Sequence, residues 1–149
     1  ERSLQATIHQ LVGEHFALGA AYRLSETELE GDYPQVEDAA VHQRSVIQQV
    51  DLSARFNHPS GFFARWDSIW TGQSNSYEAE DPTYQFPGGQ GDEFWQHNLW
   101  VGWRVHRRHA EIALGILNLT DEDYRLYPLG YHPETYRERT YAISARLDF

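Results

Sequence analysis

Tyr141-Ala142-Ile143-Ser144-Ala145-Arg146-Leu147-Asp148-Phe149 alternates with a period of two. Tyr141, Ile143, Ala145, Leu147 and Phe149 fall on one side, with Ala142, Ser144, Arg146 and Asp148 on the other. Successive side chains of a β-strand point to opposite faces, so this stretch specifies a strand with one apolar and one polar face.

The same pattern recurs upstream. Leu4, Ala6, Ile8 and Val12 oppose Gln5, Thr7 and His9, with Gln10 out of step. Phe16, Leu18, Ala20, Tyr22 and Leu24 oppose Ala17, Gly19, Ala21 and Arg23. Val46, Val50, Leu52, Ala54 and Phe56 oppose Gln49, Asp51, Ser53, Arg55 and Asn57. Phe62, Ala64, Trp66 and Trp70 oppose Arg65, Asp67, Thr71 and Gln73, while Phe63 and Ile69 soften the contrast. Trp95, Leu99, Val101, Trp103 and Val105 oppose Gln96, Asn98, Gly102 and Arg104, with Trp100 as the exception. Ile112, Leu114 and Ile116 oppose Glu111, Ala113 and Gly115. No helical stripe of comparable length occurs, and the chain is expected to be all-β, antiparallel and up-and-down, with about seven strands.

Short and long links take turns between these segments. Gly13-Glu14, His58-Pro59-Ser60-Gly61 and Arg107-Arg108 are tight, whereas 26–40, 74–92 and 120–137 are long, polar and rich in Glu, Asp, Pro, Gly and Tyr. Transmembrane barrels have short turns on the periplasmic side and long loops on the outer side. The spacing therefore gives each strand a direction and predicts a chain that begins at the outer surface and ends in the periplasm.

Composition agrees. Mean hydropathy is −0.67, and no run of about 18 apolar residues exists from which a membrane-spanning helix could form. A barrel keeps its mean hydropathy low because only one face of each strand meets lipid. Five Trp, nine Tyr and seven Phe suit aromatic girdles. A formal charge of −10 disfavours nucleic acid and anionic surfaces as partners. Without Cys there is no disulfide framework, thiol nucleophile or Cys-ligated zinc. The sequence begins at Glu1 with no initiating Met or signal segment, so a processed chain or a fragment is expected.

Single-chain bacterial barrels have an even number of strands, and open edges in hydrocarbon leave backbone groups unpaired. Seven strands thus predict an incomplete barrel. At least one more strand is expected from the rest of the protein or from another chain.

Asn118-Leu119-Thr120-Asp121-Glu122-Asp123-Tyr124 resembles the Asn-Leu-x-Asp-x-x-Tyr stretch after the penultimate strand of TonB-dependent outer-membrane receptors. Arg139-Thr140 before Tyr141 resembles the entry to that family's last strand, although Glu138 stands where the family usually has Gly, and the terminal Phe149 resembles the end of the last strand of many outer-membrane proteins. The resemblance implies that residues 1–149 are the C-terminal barrel segment of an outer-membrane receptor that takes up or binds a solute. It further implies the bacterial outer membrane as location, the lipid bilayer as surroundings and a periplasmic energy-coupling protein as partner. Two alternatives stay open: the barrel of a repeat-coupled porin exporting polysaccharide or lipoprotein, and an outer-membrane hydrolase active at its rim.

Two residue sets follow from the alternation. Asp51, Arg55, Arg65, Asp67, Arg104, Glu111, Arg146 and Asp148 are expected to line the lumen, either as a structural ladder of cross-strand pairs or as a surface for polar solute. Phe16, Phe56, Phe62, Trp103 and Phe149 are expected at the membrane interface near the short turns, and Tyr22, Trp70, Trp95 and Tyr141 near the long loops. The rings of Tyr33, Tyr77, Tyr84, Phe86, Tyr124, Tyr127 and Tyr131 belong to the loops, where they would cap a ligand site or sit at the interface. The eight His show no i, i+4 helical pair, the acidic loops lack an EF-hand spacing, and no nucleophile elbow occurs. No metal, cofactor or catalytic residue is therefore expected.

Overall fold

Pro is absent from every alternating segment, and these segments are rich in Val, Ile, Thr, Trp, Tyr and Phe, the residues that best fit a pleated surface. In the structure, a computed structural model that describes residues 1–31, 41–79, 91–105, 110–124 and 138–147, all seven segments are strands. They are β1 (Arg2–Val12), β2 (Phe16–Gly31), β3 (Val41–Asn57), β4 (Phe62–Ala79), β5 (Glu93–Arg104), β6 (Ala110–Leu117) and β7 (Thr140–Leu147). They form one antiparallel sheet in the order β1-β2-β3-β4-β5-β6-β7. No helix occurs among the described residues. The sheet is open, with β1 and β7 as its edges.

Register is continuous. Phe16 faces Phe56, Val50 faces Trp70, Trp70 faces Trp95, Leu99 faces Ile116 and Ile116 faces Tyr141, and no ladder contains a bulge. Directly opposite residues share a face, so the two faces predicted for single strands become two faces of the whole sheet.

One extent is corrected. The spacing puts links at 26–40 and 74–92, but β2 continues to Gly31 and β4 to Ala79, while β3 begins at Val41, where the first link ends. The cause is a change of environment on the apolar face. Beyond Leu24 that face carries Glu26, Glu28 and Arg44, with Arg44 Nη2 and Glu26 Oε1 2.6 Å apart. Both faces are polar there, so the period-two signal vanishes while the backbone ladder persists.

The tight links are built from local hydrogen bonds. At 58–61 the His58 amide donates to the Phe62 carbonyl (2.8 Å), the Gly61 amide to the His58 carbonyl (3.0 Å) and the Arg104 amide to the Gly61 carbonyl (2.9 Å). Gly61 has φ +99°, and a Cβ there would fall 2.2 Å from the Arg104 carbonyl oxygen. The link at 107–108 lies outside the described residues.

Gly61→Ala in the full-length protein is expected to lower stability by about 2–4 kcal/mol through left-handed strain plus this clash. A shift of the urea midpoint to lower concentration checks it. An unchanged midpoint would show that the turn relaxes freely.

Candidate functional site

The polar face gathers the charged residues expected there. Asp51, Arg55, Arg65, Asp67, Arg104, Glu111 and Arg146 all occupy it, and Asp148 lies outside the described residues. Two groupings form. Arg65 Nε donates to Asp67 Oδ2 at 2.5 Å along β4. Arg104, Glu111 and Arg146 stand in one register row across β5, β6 and β7, and Arg104 Nε donates to Glu111 Oε2 at 2.7 Å. Asp51 faces Ile69 and joins neither grouping.

Aromatic side chains interrupt this polar face. The Arg104 guanidinium carbon lies 4.2 Å above the centre of the Phe63 ring, and its Nη1 donates to Asn57 Oδ1 at 2.6 Å. Trp100 lies flat over Gly115, where a Cβ would meet the indole at 2.6 Å. Two open recesses result. One, of about 340 Å³, is bordered by Arg55, Arg65, Arg104, Asn57, Trp100 and Ser144. The other, of about 370 Å³, includes His9, Asp51, Ser53, Asp67 and Asn98. Trp100, Phe63, Asn57 and Arg23 were absent from the expected lumen set, although each has the parity of that face, which is the signal that identifies them.

Towards the long-loop end the polar face carries mostly uncharged polar side chains, with Arg23 in the row of Gln49 and Thr71. Ser45 Oγ donates to Asn75 Oδ1 (2.8 Å), Gln73 Nε2 reaches the same oxygen (3.3 Å), and Gln49 Nε2 donates to Thr71 Oγ1 (3.4 Å). Beside them the segment 118–124 closes the end of β6. Asn118, with φ +51° and 1% exposure, bonds both ways to the backbone of Glu122: Oδ1 accepts from its amide (3.0 Å) and Nδ2 donates to its carbonyl (2.9 Å). Asp121 Oδ1 accepts from the Arg139 amide (2.8 Å), tying the segment to the start of β7. Tyr124 is buried and stacks on Phe94 at 4.0 Å. Asn118, Asp121 and Tyr124, three of the four fixed residues of the quoted motif, thus each have a structural task, while the Leu119 side chain is exposed. Of the loop rings, Tyr33, Tyr84, Phe86, Tyr127 and Tyr131 lie outside the described residues.

The opposite face carries the aromatic rows. Phe16, Phe56, Phe62 and Trp103 run across β2 to β5 with ring centres 4.9, 6.3 and 6.4 Å apart. Tyr22, Trp70 and Trp95 share one register row through Val50. Tyr22 Oη donates to Gln48 Oε1 (3.1 Å) and Trp70 Nε1 to Glu93 Oε1 (3.1 Å), so both polar ends reach towards the long loops. Phe16, Phe62, Trp95, Trp103 and Tyr141 are exposed, and Tyr22, Phe56 and Trp70 are half-buried. Phe149 lies outside the described residues.

Between the rows is an arrangement the sequence did not disclose. His97 stacks between Trp66 (6.0 Å, 11°) and Trp95 (6.1 Å, 10°) on the apolar face, and its Nδ1 is buried without a hydrogen-bond partner. No family model, curated protein or solved structure matches the chain.

Asn118→Ala is expected to cost about 2–4 kcal/mol, because it leaves the Glu122 backbone groups unpaired and puts a methyl-bearing residue at positive φ. Urea unfolding, together with faster exchange of the Glu122 amide, checks it. His97→Phe keeps the three-ring stack and removes the unpaired nitrogen, so stability should rise by about 1 kcal/mol. A lowered melting temperature would mean that His97 is held by a bond its geometry does not reveal.

Proposed function

We propose that this chain is part of the wall of a bacterial outer-membrane barrel resembling a TonB-dependent receptor, through which a solute is bound or taken up. The observation that carries this is the exposed apolar face. Leu4, Ile8, Leu18, Val101, Ile112 and Ile143 on that face are all exposed, as are five of the belt rings. Soluble monomers rarely leave a contiguous apolar patch larger than a few hundred Å² in water. A soluble sandwich would cover this face with a second sheet about 10 Å away, and no second sheet occurs among the described residues.

Dimensions favour a bilayer over a protein partner. Phe62 to Trp70 and Trp95 to Trp103 each span nine residues, and a tilted membrane strand takes about 9–11. Rings with apolar bodies and hydrogen-bonded polar ends suit the two boundaries of a hydrocarbon slab. The open edges at β1 and β7 would be paired by further strands, because unpaired backbone groups in hydrocarbon cost several kcal/mol each. The polar face would then line the lumen. The resemblance of Asn118–Tyr124 to the receptor stretch is what supports the receptor reading. A periplasmic energy-coupling partner belongs to the same reading.

The test uses single-Trp versions of the full-length protein reconstituted with lipids brominated along the acyl chain. Emission from Trp66, Trp95 and Trp103 should be strongly quenched, and that from Trp100 should not. Equal quenching of all four, or failure to insert at all, would refute the wall assignment.

A further inference from the structure

The β3–β4 register sets Arg55 directly opposite Arg65. Like charges facing each other across strands are destabilising, so such a pair needs an anion or water between its members. Arg65 has one, in Asp67 at 2.5 Å. Arg104 has Glu111 at 2.7 Å and Asn57 at 2.6 Å. Arg55 has neither a hydrogen-bond nor an ion-pair partner among the described residues, and its side chain is exposed on the polar face.

All three guanidinium groups border the recess of about 340 Å³. Its lining holds three Arg against one carboxylate, that of Glu111, and with Asp67, which pairs with Arg65 from outside the lining, the group carries a formal charge of +1. This lies inside a chain whose total is −10. Asp51 and Asp67 border the neighbouring recess together with Arg55 and Arg65, and the rest of the acid sits farther away. Glu26, for example, is in register with Val46, nine residues along β3 from Arg55, which is roughly 30 Å of strand. That separation is several times the Debye length of about 8 Å at physiological salt, so the acidic end does not cancel the local positive potential. A guanidinium presents a planar fork of donors that matches a carboxylate or a phosphate oxygen pair. Trp100 adds a flat apolar wall, and Asn57 and Ser144 add polar groups at the rim. Recesses of roughly this size, with few polar groups and an apolar wall, are the usual form of a small-molecule site.

We propose that Arg55, Arg65 and Arg104 form an anion-binding station near the short-turn end of the polar face, taking the carboxylate or phosphate group of a small solute. The proposal deepens the reading of this face as a lumen wall and rests on it. Arg55 supplies the unengaged fork. Arg65 and Arg104, oriented by Asp67 and by Glu111 with Asn57, supply fixed charge on either side.

The same chemistry has two sources: a free solute, or an acidic side chain from another segment of the same protein lying in the lumen. Titration of the full-length protein with citrate and with pyrophosphate, followed by calorimetry and by Trp100 emission, separates them. A free-solute station binds at least one probe in wild type, and binding weakens as salt rises. Arg55→Gln should then weaken binding about tenfold or more, the size of one lost charge-assisted hydrogen bond. Arg55→Lys should fall between, keeping charge but losing the fork. Arg23→Gln, on the same face but away from the recess, should leave affinity within about twofold, because the screened charge there is remote. Since Arg55 is exposed and faces Arg65, Arg55→Gln should not lower the melting temperature.

No binding of either probe by wild type, or full affinity retained in Arg55→Gln, overturns the station. A clear loss of stability in Arg55→Gln without any probe binding assigns Arg55 to an internal acidic partner and equally overturns the solute proposal. Failure is separable from that of the wall reading. A protein that binds citrate but does not insert into brominated bilayers keeps the station and loses the wall. One that inserts and binds neither probe keeps the wall and loses the station.

Discussion

The uninterrupted antiparallel ladder is the constraint on which the rest depends. From Arg2 facing Glu26 to Glu111 facing Arg146, each strand meets its neighbour without a bulge. With a side-chain period of two, a slip of one residue anywhere would carry a whole strand's apolar set to the other face. Such a slip between β4 and β5 would separate Trp70 from Trp95 and put Arg104 among Phe62 and Trp66. The apolar residues that set the register and the charged residues that share the other face are therefore products of the same pairing.

Strand existence and face assignment were legible in the sequence because each is a local property of alternation. The seven strands and the face of every described member of the two residue sets agree with that alternation. Strand length was not legible for β2 and β4, because alternation reports a difference between two environments rather than the ladder itself. Above Leu24 and Trp70 that difference disappears, and Glu26, Glu28, Ser74 and Ser76 read as loop although they are strand. Parity was available for Trp100 and Phe63, but their hydrophobicity made them look like exceptions. Their contacts explain them: Phe63 carries the Arg104 guanidinium, and Trp100 covers Gly115.

Cross-strand facts were beyond reach for a different reason. That Arg55 faces Arg65 depends on the length of the 58–61 turn to the residue, because one residue more would set Arg55 against another partner. Sequence spacing locates the turn but does not count its hydrogen bonds. The Trp66–His97–Trp95 stack likewise needs the β4–β5 register, and His97 alone carries no sign of it. For the 118–124 segment the motif was visible, yet its work was not. Asn118 holds the turn through Glu122, Asp121 reaches Arg139, and Tyr124 covers Phe94, contacts that join residues up to 30 positions apart.

The two faces place incompatible demands on solvent, and this limits how the sheet can be completed. The apolar face exposes rings and aliphatic side chains that lose free energy in water at about 25 cal/mol per Å². The polar face holds Arg55, Asp51 and the Arg104–Glu111 pair, which lose far more in hydrocarbon. A flat sheet lying on a membrane would satisfy one face and leave both edges unpaired. A sandwich would hide the apolar face but abandon the two aromatic rows, whose hydrogen-bonded Tyr22 and Trp70 are oriented as if for a boundary between oil and water. On the proposed reading, curling the sheet and pairing β1 and β7 with further strands would meet all three demands together: hydrocarbon outside, water inside and no free edge. Completion of the wall would also bring charges from the added strands towards the unengaged Arg55, so the identity of those strands bears directly on which anions the recess can admit.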